Sequence, residues 1–123
     1  MLGIDVVSIE RVRLLLESRP GLEKRLFTSA ERAYCHLQRD PAQSFAGTLA
    51  AKEAVMKALR LGPLVAWARR IEITRDKVGA PHALVGGRLV EVSISHDAGV
   101  AVAAALALPT NALSRSPAPR GLP

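Results

Sequence analysis

Phe45-Ala46-Gly47-Thr48-Leu49-Ala50-Ala51-Lys52-Glu53-Ala54-Val55-Met56-Lys57-Ala58-Leu59 contains no proline, and its apolar residues recur at helical spacing. At about 100° per residue, Phe45, Leu49, Met56 and Leu59 fall on one face. Gly47, Ala51, Ala54 and Ala58 fall on nearly the opposite one. A helix apolar on two faces is buried on both, and small residues at this spacing let another backbone come close. The pattern predicts a long central helix from about Gln43 to Leu61, stopped by Gly62-Pro63. A narrow window between the faces holds Glu53 and Lys57, one turn apart, with Ala46 and Ala50 ahead of them. On a solvated stripe such a pair contributes about 0.3 kcal/mol, but two-sided burial leaves this helix little water to face. Lys52 projects near the centre of the large apolar face. It either snorkels outward along its methylenes or sits at a subunit contact.

Upstream, Leu2–Val7 reads as a short strand. Ser8 is placed to cap a helix from Ile9 to about Ser18, which Pro20-Gly21 stops. Thr28-Ser29-Ala30-Glu31 has the form of a capping box and opens a helix to about Arg39, ended by Asp40-Pro41. Downstream, Arg70–Arg75, Pro81–Val85, Leu89–His96 and Val100–Leu108 read as strands. Their turns are Asp76-Lys77-Val78-Gly79, Gly86-Gly87 and Asp97-Ala98-Gly99. Helices followed by hairpin-linked strands predict an α+β fold, a small antiparallel sheet packed with a long central helix and shorter helices. Four of the chain's eight prolines lie in 109–123. This segment lacks apolar periodicity and is expected to be a disordered tail outside a domain spanning 1–108.

A chain of 123 residues with 49% hydrophobic residues has room for one core. Its one cysteine, Cys35, excludes an intrachain disulfide and fits a reducing, cytoplasmic setting. No apolar run approaches the roughly 18 residues of a membrane span, and the opening apolar run lacks signal-peptide flanks. The formal charge of +6 suits an acidic protein or nucleic acid. Aromatics make up only 3%, which disfavours base-stacking platforms for single strands and leaves duplex phosphate binding as the competing reading. Gly-rich phosphate loops, paired-cysteine spacing and His-Glu-x-x-His are all missing from the sequence.

Asp5 stands inside the apolar run Leu2-Gly3-Ile4-Asp5-Val6-Val7. An ionised carboxylate there is costly unless it is paired, reaches water at a sheet edge or holds a metal. Gly3, two residues earlier on the same side, leaves space beside it. In Val92-Ser93-Ile94-Ser95-His96-Asp97, Val92, Ile94 and His96 share one face and the serines and Asp97 the other. Polar residues at this strand end suit phosphate or ribose contacts, or simply a solvated terminus. A hydrolase triad is disfavoured because no strained nucleophile elbow is present.

Three of these stretches, with Arg11, together resemble the holo-acyl-carrier-protein synthase type of 4′-phosphopantetheinyl transferase. They are Gly3-Ile4-Asp5-Val6-Val7, Phe45 to Leu59, and Val92 to Asp97; Gly79-Ala80-Pro81 is similar to that family's Gly-x-Pro turn. The resemblance covers roughly Leu2 to Leu108. It implies a homotrimer with sites at subunit interfaces and coenzyme A in a cleft between neighbours. It implies Mg²⁺ on Asp5 and Glu53, Lys57 at the phosphates, and His96, Gly79 and Pro81 near the nucleotide end of coenzyme A. Arg11 matches a basic position that meets an acidic acyl carrier protein. The chain departs from the family pattern at Thr48, often basic, at Arg60, often glycine, and in 81–92, where many relatives carry a helix.

Overall fold

The computed structural model describes residues 1–109; the expected tail, apart from Pro109, lies outside them. The chain opens with β1 (Leu2–Ser8) and runs through α1 (Ile9–Ser18), α2 (Leu22–Leu26), α3 (Ser29–His36), α4 (Pro41–Leu59) and α5 (Leu64–Trp67). It then forms β2 (Ile71–Arg75), β3 (Pro81–Val85), β4 (Arg88–Asp97) and β5 (Val100–Leu106). The last four strands follow one another as hairpins, and β1 adds to the far side, giving an antiparallel sheet of order β1-β5-β4-β3-β2. The α+β reading and all five strands hold. The stretch 81–92 is a plain hairpin, with no helix in it.

Local chemistry sets the helix ends. Ser8 accepts from the Arg11 amide and caps α1, and Thr28 and Glu31 form the expected capping box on α3. The central helix starts at Pro41 rather than Gln43. Asp40 is its cap and Pro41 its first residue, where a missing N–H and a fixed φ suit a first turn. Asp40-Pro41 is therefore a start signal, and α3 stops at His36, short of Arg39. At the other end α4 stops at Leu59, before Gly62-Pro63. Arg60 takes the left-handed cap conformation (φ 56°, ψ 45°), the position where the family often has glycine. The short α2 and α5 have no periodicity of their own and went unanticipated.

The small-residue face of α4 lies on the sheet, burying Ala50, Ala51, Ala54 and Ala58 against Ile71, Ile73, Ala83, Val90, Ala103 and Ala105. A second cluster joins α1, α3 and the start of α4 around Phe27 and Phe45, whose ring centroids are 4.8 Å apart. Gly3 is where β1 meets α4. A Cβ built there lies 1.9 Å from the Ala54 carbonyl oxygen and 2.7 Å from the Ala58 nitrogen. The space at Gly3 thus belongs to the helix backbone, whereas the sequence pattern suggested it served Asp5.

Lys52 neither snorkels nor reaches a surface: it is fully buried inside one chain. Its ammonium meets Glu31 Oε1 at 2.8 Å and donates to the carbonyls of Ile71 (2.6 Å) and Ala68. Glu31, also buried, accepts from the amides of Thr28 (2.8 Å) and Ile73 (2.7 Å). Every proton of the ammonium has an acceptor, so this pair locks α3, α4, α5 and β2 together. Burial pushes the Lys52 pKa down and the Glu31 charge opposes that.

Among the described residues, no helix lies on the far face of the sheet. Leu2, Ile4 and Val6 are 72%, 61% and 61% exposed there, beside Leu106 and Leu89.

Two outcomes follow in urea unfolding of the purified chain. Gly3→Ala loses about 3 kcal/mol, because backbone cannot yield as a flexible side chain would. Lys52→Met loses about 3–5 kcal/mol, since Glu31 stays buried without its cation; a midpoint unchanged from the parent would contradict either account.

Candidate active site

Strand parity turns Gly3, Asp5 and Val7 toward α4. The close approach at Gly3 then sets Asp5 beside the window that holds Glu53 and Lys57. Lys57 Nζ lies 2.9 Å from Asp5 Oδ1 and 2.9 Å from the Ile4 carbonyl oxygen. The ammonium therefore turns to β1 rather than making the i,i+4 pair with Glu53 that helical spacing allows. Asp5 is largely enclosed, with its side chain 15% exposed, whereas Lys57 is 58% exposed. The three predicted residues meet at one point.

Glu53 is pushed up to about 7. Burial is the larger cause. Asp5 adds to it by repelling a second negative charge and accepting a hydrogen bond from protonated Glu53, against a smaller pull from Lys57. Two hard oxygen donors that resist sharing negative charge fit a divalent cation such as Mg²⁺, which usually takes one or two carboxylates with waters and phosphate.

The remaining predicted residues gather elsewhere. Gly79, Pro81 and His96 line a cavity of about 760 Å³ with Arg39, Gln43 and Arg75. His96 Nε2 lies 3.0 Å from the Gln43 side-chain amide. The Arg75 guanidinium stacks 4.9 Å from the centre of the Tyr34 ring. Ser93, Ser95 and Asp97 alternate away from His96, so the strand end offers this cavity His96 and Ile94, with the histidine its one polar side chain. Arg75 had a signal in the sequence, since it shares the inward parity of Ile71 and Ile73. Arg39 and Tyr34 had none, because they reach the cavity only through tertiary packing.

Thr48 is buried and donates to the Ser44 carbonyl (2.9 Å). Arg11 is exposed on the first turn of α1, while Arg13 is tied to Glu10 and Asp40. Asp5, Glu53 and Lys57 do not line the cavity. Glu53 sits six residues beyond its Gly47 wall, about 9 Å along the helix.

The sequence pattern of the 4′-phosphopantetheinyl transferase superfamily matches residues 1–106. The chain belongs to that superfamily. It is 40% identical to the holo-[acyl-carrier-protein] synthase of Moorella thermoacetica, over 85% of this chain and 90% of that one. It is 42% identical to the enzyme of the same name from Chlorobaculum tepidum, over 85% and 95%. Among solved structures, the Helicobacter pylori synthase in complex with coenzyme A superposes with a TM-score of 0.73 at 29% identity, over 86% and 98%. The Bacillus anthracis synthase in complex with coenzyme A (3′,5′-ADP) superposes with a TM-score of 0.74 at 30% identity, over 85% and 91%.

The raised Glu53 pKa has a sign for stability. Between its ordinary 4.5 and about 7, the folded transferase holds a proton that the unfolded chain releases. Stability contributed here is present at low pH and lost as pH rises through that interval. In EDTA, Glu53→Gln is expected to raise the melting temperature at pH 8 and leave it nearly unchanged at pH 4; equal shifts at both pH values would reject the coupling.

Proposed function

We propose that this chain moves 4′-phosphopantetheine from coenzyme A to a serine of apo-acyl carrier protein, releasing adenosine 3′,5′-bisphosphate. The observation that carries the reading is the meeting of Asp5 and Glu53 beside Lys57, in a chain of this superfamily. The similar sequences and structures described above are holo-acyl-carrier-protein synthases, and both of those structures are complexes with coenzyme A.

Coenzyme A brings a pyrophosphate, a nucleotide with a further phosphate, and a long pantetheine arm. Arg39 and Arg75 supply cations in the cavity, and these guanidiniums suit bidentate phosphate contacts. Thr48 does not replace the basic residue the family often has, so Arg39 and Arg75 are the cationic groups this cavity offers. Gly79 and Pro81 lie beside His96 at the nucleotide end. Asp5 and Glu53 would hold Mg²⁺, which when bound withdraws charge from the pyrophosphate. Lys57, half-exposed next to them, reaches phosphate oxygens and balances charge on the leaving bisphosphate.

The carrier serine is a weak nucleophile until its proton is taken. Glu53, or a water held with the cation that Asp5 and Glu53 would bind, takes that proton. The serine oxygen bonds to the β-phosphorus as the bond to the bridging oxygen of adenosine 3′,5′-bisphosphate breaks.

One chain keeps its carboxylates and its cavity apart, and its outer sheet face is apolar along β1 and β5. Both features support assembly as a homotrimer with each site shared between neighbours. The formal charge of +6, with Arg11 free of a carboxylate partner among the described residues, supports docking of an acidic carrier by steering encounter. The reaction fits a cytoplasmic role in fatty-acid biosynthesis. Among the described residues, no helix is long and apolar enough to cross a membrane.

Mass spectrometry of apo-carrier incubated with coenzyme A tests the reading: the carrier is expected to gain one phosphopantetheine group. Asp5→Ala and Glu53→Ala should each slow this by about 100-fold or more while leaving the fold intact. EDTA should stop it and Mg²⁺ restore it. Full activity in both variants would reject the carboxylate assignment, and coenzyme A binding without any mass gain would mark a binding protein instead.

A further inference from the structure

Gly79 and Pro81 line the cavity, and neither has a side chain that can hydrogen-bond to hold its place. Gly79 has no side chain and sits at φ +86°, a conformation that favours glycine; Pro81 has no N–H to donate. The side-chain group that holds the residues flanking them is a carboxylate outside the cavity lining. Asp76 closes the turn between β2 and β3. Its Oδ1 accepts from the amides of Val78 (3.0 Å) and Ala80 (2.9 Å), and its Oδ2 accepts from His82 Nε2 at 3.2 Å. The backbone adds two bonds, from the Asp76 amide to the Ala80 carbonyl (3.0 Å) and from the Gly79 amide to the Asp76 carbonyl (2.9 Å). One oxygen therefore fixes the loop on the near side of Pro81, and the other fixes the strand residue just past it.

We propose that Asp76, backed by His82, is a positioning residue for the nucleotide-side wall of the coenzyme A cavity. This rests on the coenzyme A reading given above and names the device that sets one wall of that site. The Asp76 carboxyl is held below the usual carboxylate range, first by the Ala80 amide and then by His82. It is ionised, and so accepts on both oxygens, throughout the neutral range. His82 is itself held from both neighbouring strands: it pairs in register with Thr74 on β2, whose hydroxyl donates to its carbonyl (3.5 Å), and with Glu91 on β4. The loop is thus tethered to the sheet and cannot drift as a unit. Without the carboxylate, two amides and an imidazole lose their common acceptor and the wall loosens. Asp5, Glu53 and Lys57 are untouched.

The consequence is a split between binding and turnover. Full-length Asp76→Ala is expected to raise KM for coenzyme A about 10-fold and the Kd for adenosine 3′,5′-bisphosphate by a similar factor, with kcat at saturation within about two-fold of the parent. Asp76→Asn, which keeps one carbonyl acceptor, should recover part of the loss, and His82→Gln should weaken both by about two- to three-fold. Binding is read by titration calorimetry with adenosine 3′,5′-bisphosphate and turnover by carrier mass. If Asp76→Ala does not fold, His82→Gln decides alone. Parent binding with unchanged variants overturns the positioning role, as does a fall in kcat at constant KM. A parent that binds neither coenzyme A nor the bisphosphate overturns the coenzyme A reading itself, and the positioning role with it.

Discussion

The architecture turns on a missing side chain. At Gly3 the backbone of β1 touches the backbone of α4, with no room for one further carbon before the Ala54 carbonyl. Contact at that range is possible only because the facing side of α4 is built from alanine. Once strand and helix are locked at this distance, strand alternation puts Asp5 on the helix side two residues on. The helical turn sets Glu53 and Lys57 where Asp5 arrives. The site is a consequence of packing between small residues, and its carboxylates come together because the core places them.

Two lysines on one helix show how burial divides structure from chemistry. Lys52 and Lys57 are five residues apart, so they leave α4 in different directions. Lys52 goes inward, where Glu31 and two carbonyls use all its donors, and nothing is left to bind a substrate. Lys57 goes to the rim, where it is 58% exposed and shares Asp5 with a neighbouring acid that resists ionisation. A satisfied buried pair fixes one conformation. An unbalanced half-buried pair leaves unmet demand for positive charge, the demand that the proposed cation would meet.

The strands and long helix were legible because their signals are local: alternation in Ile71 to Arg75, periodicity in Phe45 to Leu59, turns at Gly86-Gly87. Asp5, Glu53 and Lys57 were legible in part, since each stood awkwardly in its own element, although the resemblance to a family supplied their common purpose. Lys52 was not legible. Its partner Glu31 lies in another helix and doubles as the third residue of a capping box, which already explained it. Asp40-Pro41 was misread because a stop for one helix and a start for the next use the same residues. The cavity was half legible: Gly79, Pro81 and His96 came from motif likeness, while Tyr34 and Arg39 arrive through packing that no short window contains.

The separation of carboxylates and cavity within one chain bears on how such a small domain can handle so large a substrate. Coenzyme A is long compared with a domain of this size, and a single core of about 100 residues has little concave surface to spare. A cleft deep enough to enclose the whole cofactor would have to be cut from the packing that keeps the fold stable. Dividing the work removes the conflict. One edge of the domain carries the charged rim at Asp5, Glu53 and Lys57, while the region around α3, α4 and β4 carries the cavity. The apolar face at Leu2, Ile4 and Val6, uncovered among the described residues, would give the proposed association between copies a hydrophobic driving force. In the proposed assembly one copy's rim would complete its neighbour's cavity, and the cleft would be built without weakening either core.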